Sequence, residues 1–221
     1  MTRALRSSRH LWLLLAGAAL LGIGTLAAVQ ASADAKPVLI SPTKGLAKAP
    51  VTLIEYGSVT CSHCADWHKN GLPVIEKNYI RTGKVRYVFR EVATSPAPVA
   101  FGVYMVAHCA ANKKTLFGTG GQKAYFTVVD GFFANYDKIM SDHDAQPTLT
   151  ALAKTAGLST AQYEACLKDE ALLDAISTRM QNRMEADDVT GTPTLFVNGK
   201  RLSGHSLKDV EAAILAAQKP R

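Results

Sequence analysis

The run Val51-Thr52-Leu53-Ile54-Glu55-Tyr56 is strand-forming, and it leads directly into Cys61-Ser62-His63-Cys64 at the head of a helical pattern. Periodicity predicts a strand over Val51 to Ser58, a helix from about Cys61 to Ile80 and a second strand over Lys84 to Val92. A strand, helix, strand order commits the chain to an α/β layer in which the paired cysteines stand at a helix start. There the first sulfur meets unpaired backbone N–H groups and the positive end of the helix dipole, both of which favour thiolate over thiol. An ordinary thiol, with a pKa of about 8.5, is only a few per cent ionised at pH 7, whereas such sites lower the value to roughly 3.5 to 7.5. Cys61 is therefore a candidate nucleophile and a good leaving group, and the pair points to thiol-disulfide chemistry.

Pro73 lies inside the predicted helix, where it removes the hydrogen bond to the Lys69 carbonyl and is expected to kink it. Further along, Thr194 to Asn198 reads as a short strand, Asn198-Gly199 as a two-residue hairpin turn, Lys200 to Ser203 as the antiparallel return, and Ser206 to about Ala217 as a capped helix. Between the halves, residues from about 96 to 189 read as a helical insertion. Its segments are Ala97 to Asn112, Gln122 to Ala134, Pro147 to Ala156, Ser159 to Leu167 and Glu170 to Asp187. Ser159 and Gln162 form a capping-box pattern, and Gly157 ends the helix before it. Gly118-Thr119-Gly120-Gly121 lacks the Lys-Ser/Thr of a phosphate loop and reads as a flexible turn.

The N-terminus carries Arg3, Arg6 and Arg9, a 19-residue apolar stretch from Leu11 to Val29, and the small-residue pattern Ala31-Ser32-Ala33. Residues 1 to 33 thus read as a signal peptide, with an uncleaved anchor as the alternative because the stretch is near the lower limit for spanning a bilayer. Cleavage removes three of the 25 Lys and Arg and none of the 18 acids, so the formal charge falls from +7 to +4. The remaining excess is scattered, which gives nucleic-acid binding little support. The remaining residues, 34 to 221, suffice for one domain. In an exported chain, four cysteines are disulfide-competent. Cys61 and Cys64 are one natural pair, which leaves Cys109 and Cys166 as the other if no thiol stays free.

The C-x-x-C after a strand, the helical insertion, and Gly191-Thr192-Pro193-Thr194 before a hairpin and terminal helix together resemble the DsbA-like branch of the thioredoxin superfamily, over roughly residues 45 to 217. The resemblance implies a thioredoxin-like fold with a helical insertion. It also implies an exported, periplasmic thiol-disulfide oxidoreductase that oxidises cysteine pairs in folding proteins, is reoxidised by a membrane or thiol redox partner, and uses no cofactor and no metal. By the same resemblance Cys61 is the nucleophile, Cys64 the resolving cysteine, and His63 the dipeptide histidine whose donors favour the thiolate. Pro193 would adopt a cis peptide beside the sulfurs, and Thr192 would pair its backbone with substrate. Glu55 would be the acid beneath the disulfide, positioned to take the Cys64 proton.

Two departures bear on direction. Ser62 stands where the best-known oxidases have proline, and Thr192 also occurs in branches that act as isomerases or reductases. No long dimerisation segment precedes the core at Gly45, so a monomer is expected and the isomerase reading is weaker. A reading from another class makes Cys61, Cys64 and His68 the start of a metal site, but a closed site needs four ligands and no second such motif exists. His68, His108, His143 and His205 read as surface or packing residues, and Trp67, Phe101, Tyr104, Phe126, Phe132 and Phe133 as core or groove residues.

Overall fold

The computed structural model describes residues 37–116 and 118–218. The signal-peptide reading of residues 1 to 33 lies outside them. A five-stranded mixed sheet in the order β1, β3, β2, β6, β7 is formed by β1 (Thr43–Lys44), β2 (Val51–Gly57), β3 (Val85–Glu91), β6 (Thr194–Val197) and β7 (Lys200–Arg201). β2 runs parallel to β3, with Val51 opposite Val85 and Gly57 opposite Glu91, and antiparallel to β6, with Glu55 opposite Leu195. With neighbours on both edges, β2 is nearly continuously buried, and its sequence is accordingly apolar at almost every position. The edge strand β1, which pairs antiparallel with β3, is too short to leave a periodic signal in the sequence.

Between β2 and β3 the backbone is helical from Ser62 to Ile80, but not as one kinked α-helix. It consists of α1 (Ser62–Asp66), a π turn (Trp67–Gly71), α2 (Leu72–Ile75) and a second π turn (Glu76–Ile80). Pro73 has no N–H to give. The break is absorbed one turn earlier, where Leu72 N–H reaches back five residues to Trp67 O. Gly71 is needed in that turn, since a Cβ there would fall 2.1 Å from the Trp67 ring.

The helical insertion comprises α3 (Ala97–Asn112), α4 (Gly121–Ala134), α5 (Tyr136–Asp142), α6 (Gln146–Thr155), α7 (Thr160–Leu167) and α8 (Glu170–Ala186). α3 is its centre: nine of its residues are buried, and it packs against α4, α6, α7 and α8. The capping box at Ser159 and Gln162 is formed in both directions. The turn predicted at Gly118 to Gly121 is instead partly ordered: β4 (Lys114–Thr115) and β5 (Gly118–Thr119) pair antiparallel. The chain closes with α9 (Leu207–Ala217), capped by the Ser206 side chain accepting from Asp209 N–H. Cys109 and Cys166 form a disulfide linking α3 to α7, with Cα atoms 6.3 Å apart.

Candidate active site

Cys61 is the N-cap of α1, in extended conformation, so its side chain faces the free N–H groups of the first helical turn. The loop that delivers it is fixed by a hydroxyl cluster. Ser58 Oγ lies 3.0 Å from Thr60 Oγ1, which lies 2.9 Å from Thr94 Oγ1. The Tyr104 hydroxyl accepts from Val59 N–H at 3.1 Å and donates to the Val92 carbonyl at 2.9 Å.

Cys61 and Cys64 are both free thiols. The Cys61 pKa is drawn down from the ordinary value near 9 to about 5. The largest cause is the hydrogen bond from the Cys64 side chain, which outweighs the opposing effect of burial. The Thr192 side chain and the backbone N–H groups of Cys64 and His63 add to it. Cys64 is fully buried and is pushed far the other way by desolvation, by the Cys61 sulfur and by the Glu55 charge, while Ser58 N–H donates to its sulfur at 3.4 Å. The pair is therefore polarised into one thiolate and one thiol.

The Thr192–Pro193 peptide is cis, and Cys61 Sγ lies 3.4 Å from the Thr192 carbonyl oxygen. The segment leading to Thr192 is anchored by Arg90, which pairs with Asp187, and by Arg201, which donates to the Asp187 carbonyl at 2.9 Å. His63 is exposed, and its ring centroid is 6.0 Å from that of His205. Its backbone N–H is among the groups that lower the Cys61 pKa.

Glu55 lies fully buried on β2. It receives hydrogen bonds from Tyr87 Oη at 2.6 Å and Trp67 Nε1 at 2.9 Å on Oε2, and it meets His68 Nε2 at 3.1 Å on Oε1. Gly57 makes room for this carboxylate, since a Cβ there would stand 2.5 Å from Oε1. His68 keeps the packing role read from the sequence, with its ring centroid 3.7 Å from that of Phe133, and also meets the Glu55 carboxylate, a contact the sequence reading does not name. The signal was available in the spacing: Trp67 and His68 follow Cys64 by three and four positions, which puts them on its face of a helix. His68 is also turned to Glu55 rather than to the cysteines as the metal reading requires, and among the described residues no group of three or more His, Cys, Asp and Glu could hold a metal ion.

A second buried polar cluster lies where β3 meets the insertion. Glu91 accepts from His108 Nε2 at 2.8 Å, from Tyr125 Oη at 2.8 Å, and from Arg179 Nη2 on both of its oxygens. It ties β3 to α3, α4 and α8, and it gives His108 a packing role.

A mixed sheet with a polarised dithiol at a helix N-terminus and a cis-proline peptide against the reactive sulfur defines a dithiol-active domain of the thioredoxin type. The thioredoxin family model matches residues 40–216, and the chain belongs to that family. It is 26% identical over 164 residues, 74% of its length, to a Rickettsia bellii protein whose name assigns it provisionally as a protein-disulfide oxidoreductase. The chain spans about three fifths of the length of that relative, 59%. Among solved structures it is similar to Wolbachia pipientis alpha-DsbA1, with a TM-score of 0.69, 26% identity, and coverage of 82% of this chain and 92% of that one. It also shares the fold of oxidised BdbD from Bacillus subtilis, with a TM-score of 0.69, 18% identity, and coverage of 80% and 92%.

Proposed function

We propose that this chain is a protein dithiol-disulfide oxidoreductase working in the oxidising direction on cysteine pairs of folding proteins. The observation that carries the reading is the Cys61 sulfur, drawn down to about 5 at a helix N-terminus beside the Thr192–Pro193 peptide. A substrate thiolate attacks Cys61 of the Cys61–Cys64 disulfide, Cys64 leaves and takes up a proton, and the substrate's second thiolate expels Cys61 from the mixed disulfide. Stabilising the Cys61 thiolate makes it the better leaving group and favours the reduced enzyme, which is what gives a dithiol pair oxidising power. In this reading Thr192 offers its backbone to the extended substrate, Pro193 orients it, and Glu55 is the base for Cys64.

Reoxidation would come from a membrane or thiol partner, with the domain acting as a monomer. The basic and apolar residues 1 to 33 support export to the periplasm, with either cleavage or retention as an anchor. Among the described residues no helix is long and apolar enough to cross a membrane. Equilibration with glutathione buffers tests the direction. The Cys61–Cys64 midpoint should lie on the oxidising side of about −180 mV, and a value near the roughly −270 mV of a reducing thioredoxin would reverse the assignment.

A further inference from the structure

Each catalytic cycle under this function moves a proton onto Cys64 and off it again. If Glu55 exchanges that proton with Cys64, a carboxylate with no exposed surface must itself exchange it with water through a neighbour. Of its three partners, the Trp67 indole N–H does not ionise in the working range, and burial pushes the Tyr87 phenol well above its ordinary value. The third is His68, and imidazole is the side chain that takes up and releases protons near neutral pH. It also reaches outward: its side chain is 4% exposed, and it lines a cleft of about 390 Å³ on the α4 side.

We propose that His68 is a proton relay, carrying the Cys64 proton between buried Glu55 and the solvent of the cleft bounded by Lys44, Glu76 and Asp130. Its ring is held in plane for this. It stacks on Phe133 with centroids 3.7 Å apart and planes 18° apart, and Phe89 meets it edge-on at 6.0 Å.

The charged groups around it come from every element packed against it. Glu55 faces it from β2. From the other side, Lys44 of β1 pairs with Glu76 and, at 2.7 Å, with Asp130 Oδ2 of α4, while the Lys69–Asp137 pair stands at the mouth. Asp130 Oδ1 is buried without a hydrogen-bond partner, and Asp130 lines the same cleft as His68. Burial raises the Asp130 pKa, while Lys44 and then His68 lower it. His68 touches neither sulfur and acts through Glu55; it is a positioning residue for the proton.

During reoxidation the Cys61 thiolate attacks a disulfide R–S–S–R, breaking its S–S bond, releasing one R–S⁻ and leaving Cys61–S–S–R. Cys64 then gives its proton to Glu55, attacks Cys61 Sγ to form Cys61–Cys64, and releases the second R–S⁻. Two electrons pass from the dithiol to R–S–S–R. The proton leaves Glu55 by way of the His68 ring and is taken up by water or by a released thiolate.

This inference rests on the proposed function, and one experiment separates the two. The reduced full chain is mixed with increasing oxidised glutathione in stopped flow, and the phase that becomes independent of glutathione concentration reports the attack by Cys64. In His68→Ala this phase should slow about 100-fold, the low end of general acid-base effects. Added imidazole should restore it, while the concentration-dependent phase, which belongs to Cys61, stays as in the parent. A second phase at the parental rate, or a slowed one that imidazole does not restore, overturns the relay and leaves the function standing. A parent chain that does not react with oxidised glutathione overturns the function itself, and the relay with it. Should the alanine variant not fold, His68→Gln decides the matter, because it keeps a donor for Glu55 but does not take up a proton. A slowed second phase that has lost the parental pH dependence supports the relay, and a parental profile overturns it.

Discussion

Replacing Cys64 by alanine removes the group that contributes most to the Cys61 thiolate, the S–H donor from inside the motif. A hydrogen bond to a charged acceptor is worth about 1.5 to 3 kcal/mol. At 1.36 kcal/mol per pH unit this corresponds to roughly one to two units. Cys61 should therefore rise from about 5 to between about 6 and 7 in Cys64→Ala. Cys64→Ser keeps a hydroxyl donor at the same place and should stay near about 5. Thiolate absorbance in the ultraviolet, followed against pH in reduced protein, measures both. An alanine variant that still titrates near about 5 would refute the reasoning, because the helix N–H groups and Thr192 would then suffice.

The same shift has a stability consequence of definite sign. Cys61 is depressed in the folded state, so its contribution to the reduced form is fully present above the ordinary thiol value near 9 and is lost as pH falls through about 5. Four units correspond to at most ~5 kcal/mol, and solvent screening at this half-buried sulfur leaves on the order of 2 kcal/mol. The oxidised form has no such term. Its melting temperature should therefore fall behind that of the reduced form by about 4 to 8 °C more at pH 9 than at pH 5.

Three more perturbations separate scaffold from site. Replacing Cys109 and Cys166 together by alanine removes the α3–α7 tie, whose cysteines are 57 positions apart. It should cost up to about 4 kcal/mol by chain entropy, read by denaturant unfolding, while thiol exchange at Cys61 continues. Glu91 is opposed by burial, but His108, Arg179 and Tyr125 outweigh it and hold it at about 2, so its contribution is present above about 4.5 and is lost as pH falls through about 2. Glu91→Gln should lower stability at pH 7 and flatten the acid limb of the stability curve, and an unchanged acid limb would show that the cluster does not govern acid unfolding. Gly71→Ala forces a Cβ to 2.1 Å from the Trp67 ring and should cost about 1 to 3 kcal/mol. It should also shift the Trp67 fluorescence as the indole is displaced from Glu55.

The strand before the motif, the helix it opens, the helical insertion and the terminal hairpin were legible in the sequence because each is a local pattern. Apolar alternation, Ser159 with Gln162, and Asn198-Gly199 all act over a few residues. Features that depend on pairing between distant segments were not. β1 is two residues long and exists because β3 offers it an edge; β4 and β5 are also two residues each, and the glycines from Gly118 onward read as a turn. The break at Pro73 was foreseen as a kink, whereas a π turn absorbs it.

The sequence alone determined that one sulfur would stand at a helix N-terminus, since four adjacent residues after a strand suffice to place it there. What surrounds that sulfur was decided by tertiary structure. Thr192 comes from a segment 131 residues away, and the three partners of Glu55 come from a helix turn and a neighbouring strand 12 to 32 residues away. Electrostatic and hydrogen-bond energies depend on distances of a few ångströms and on the exclusion of water, and the packed fold sets both.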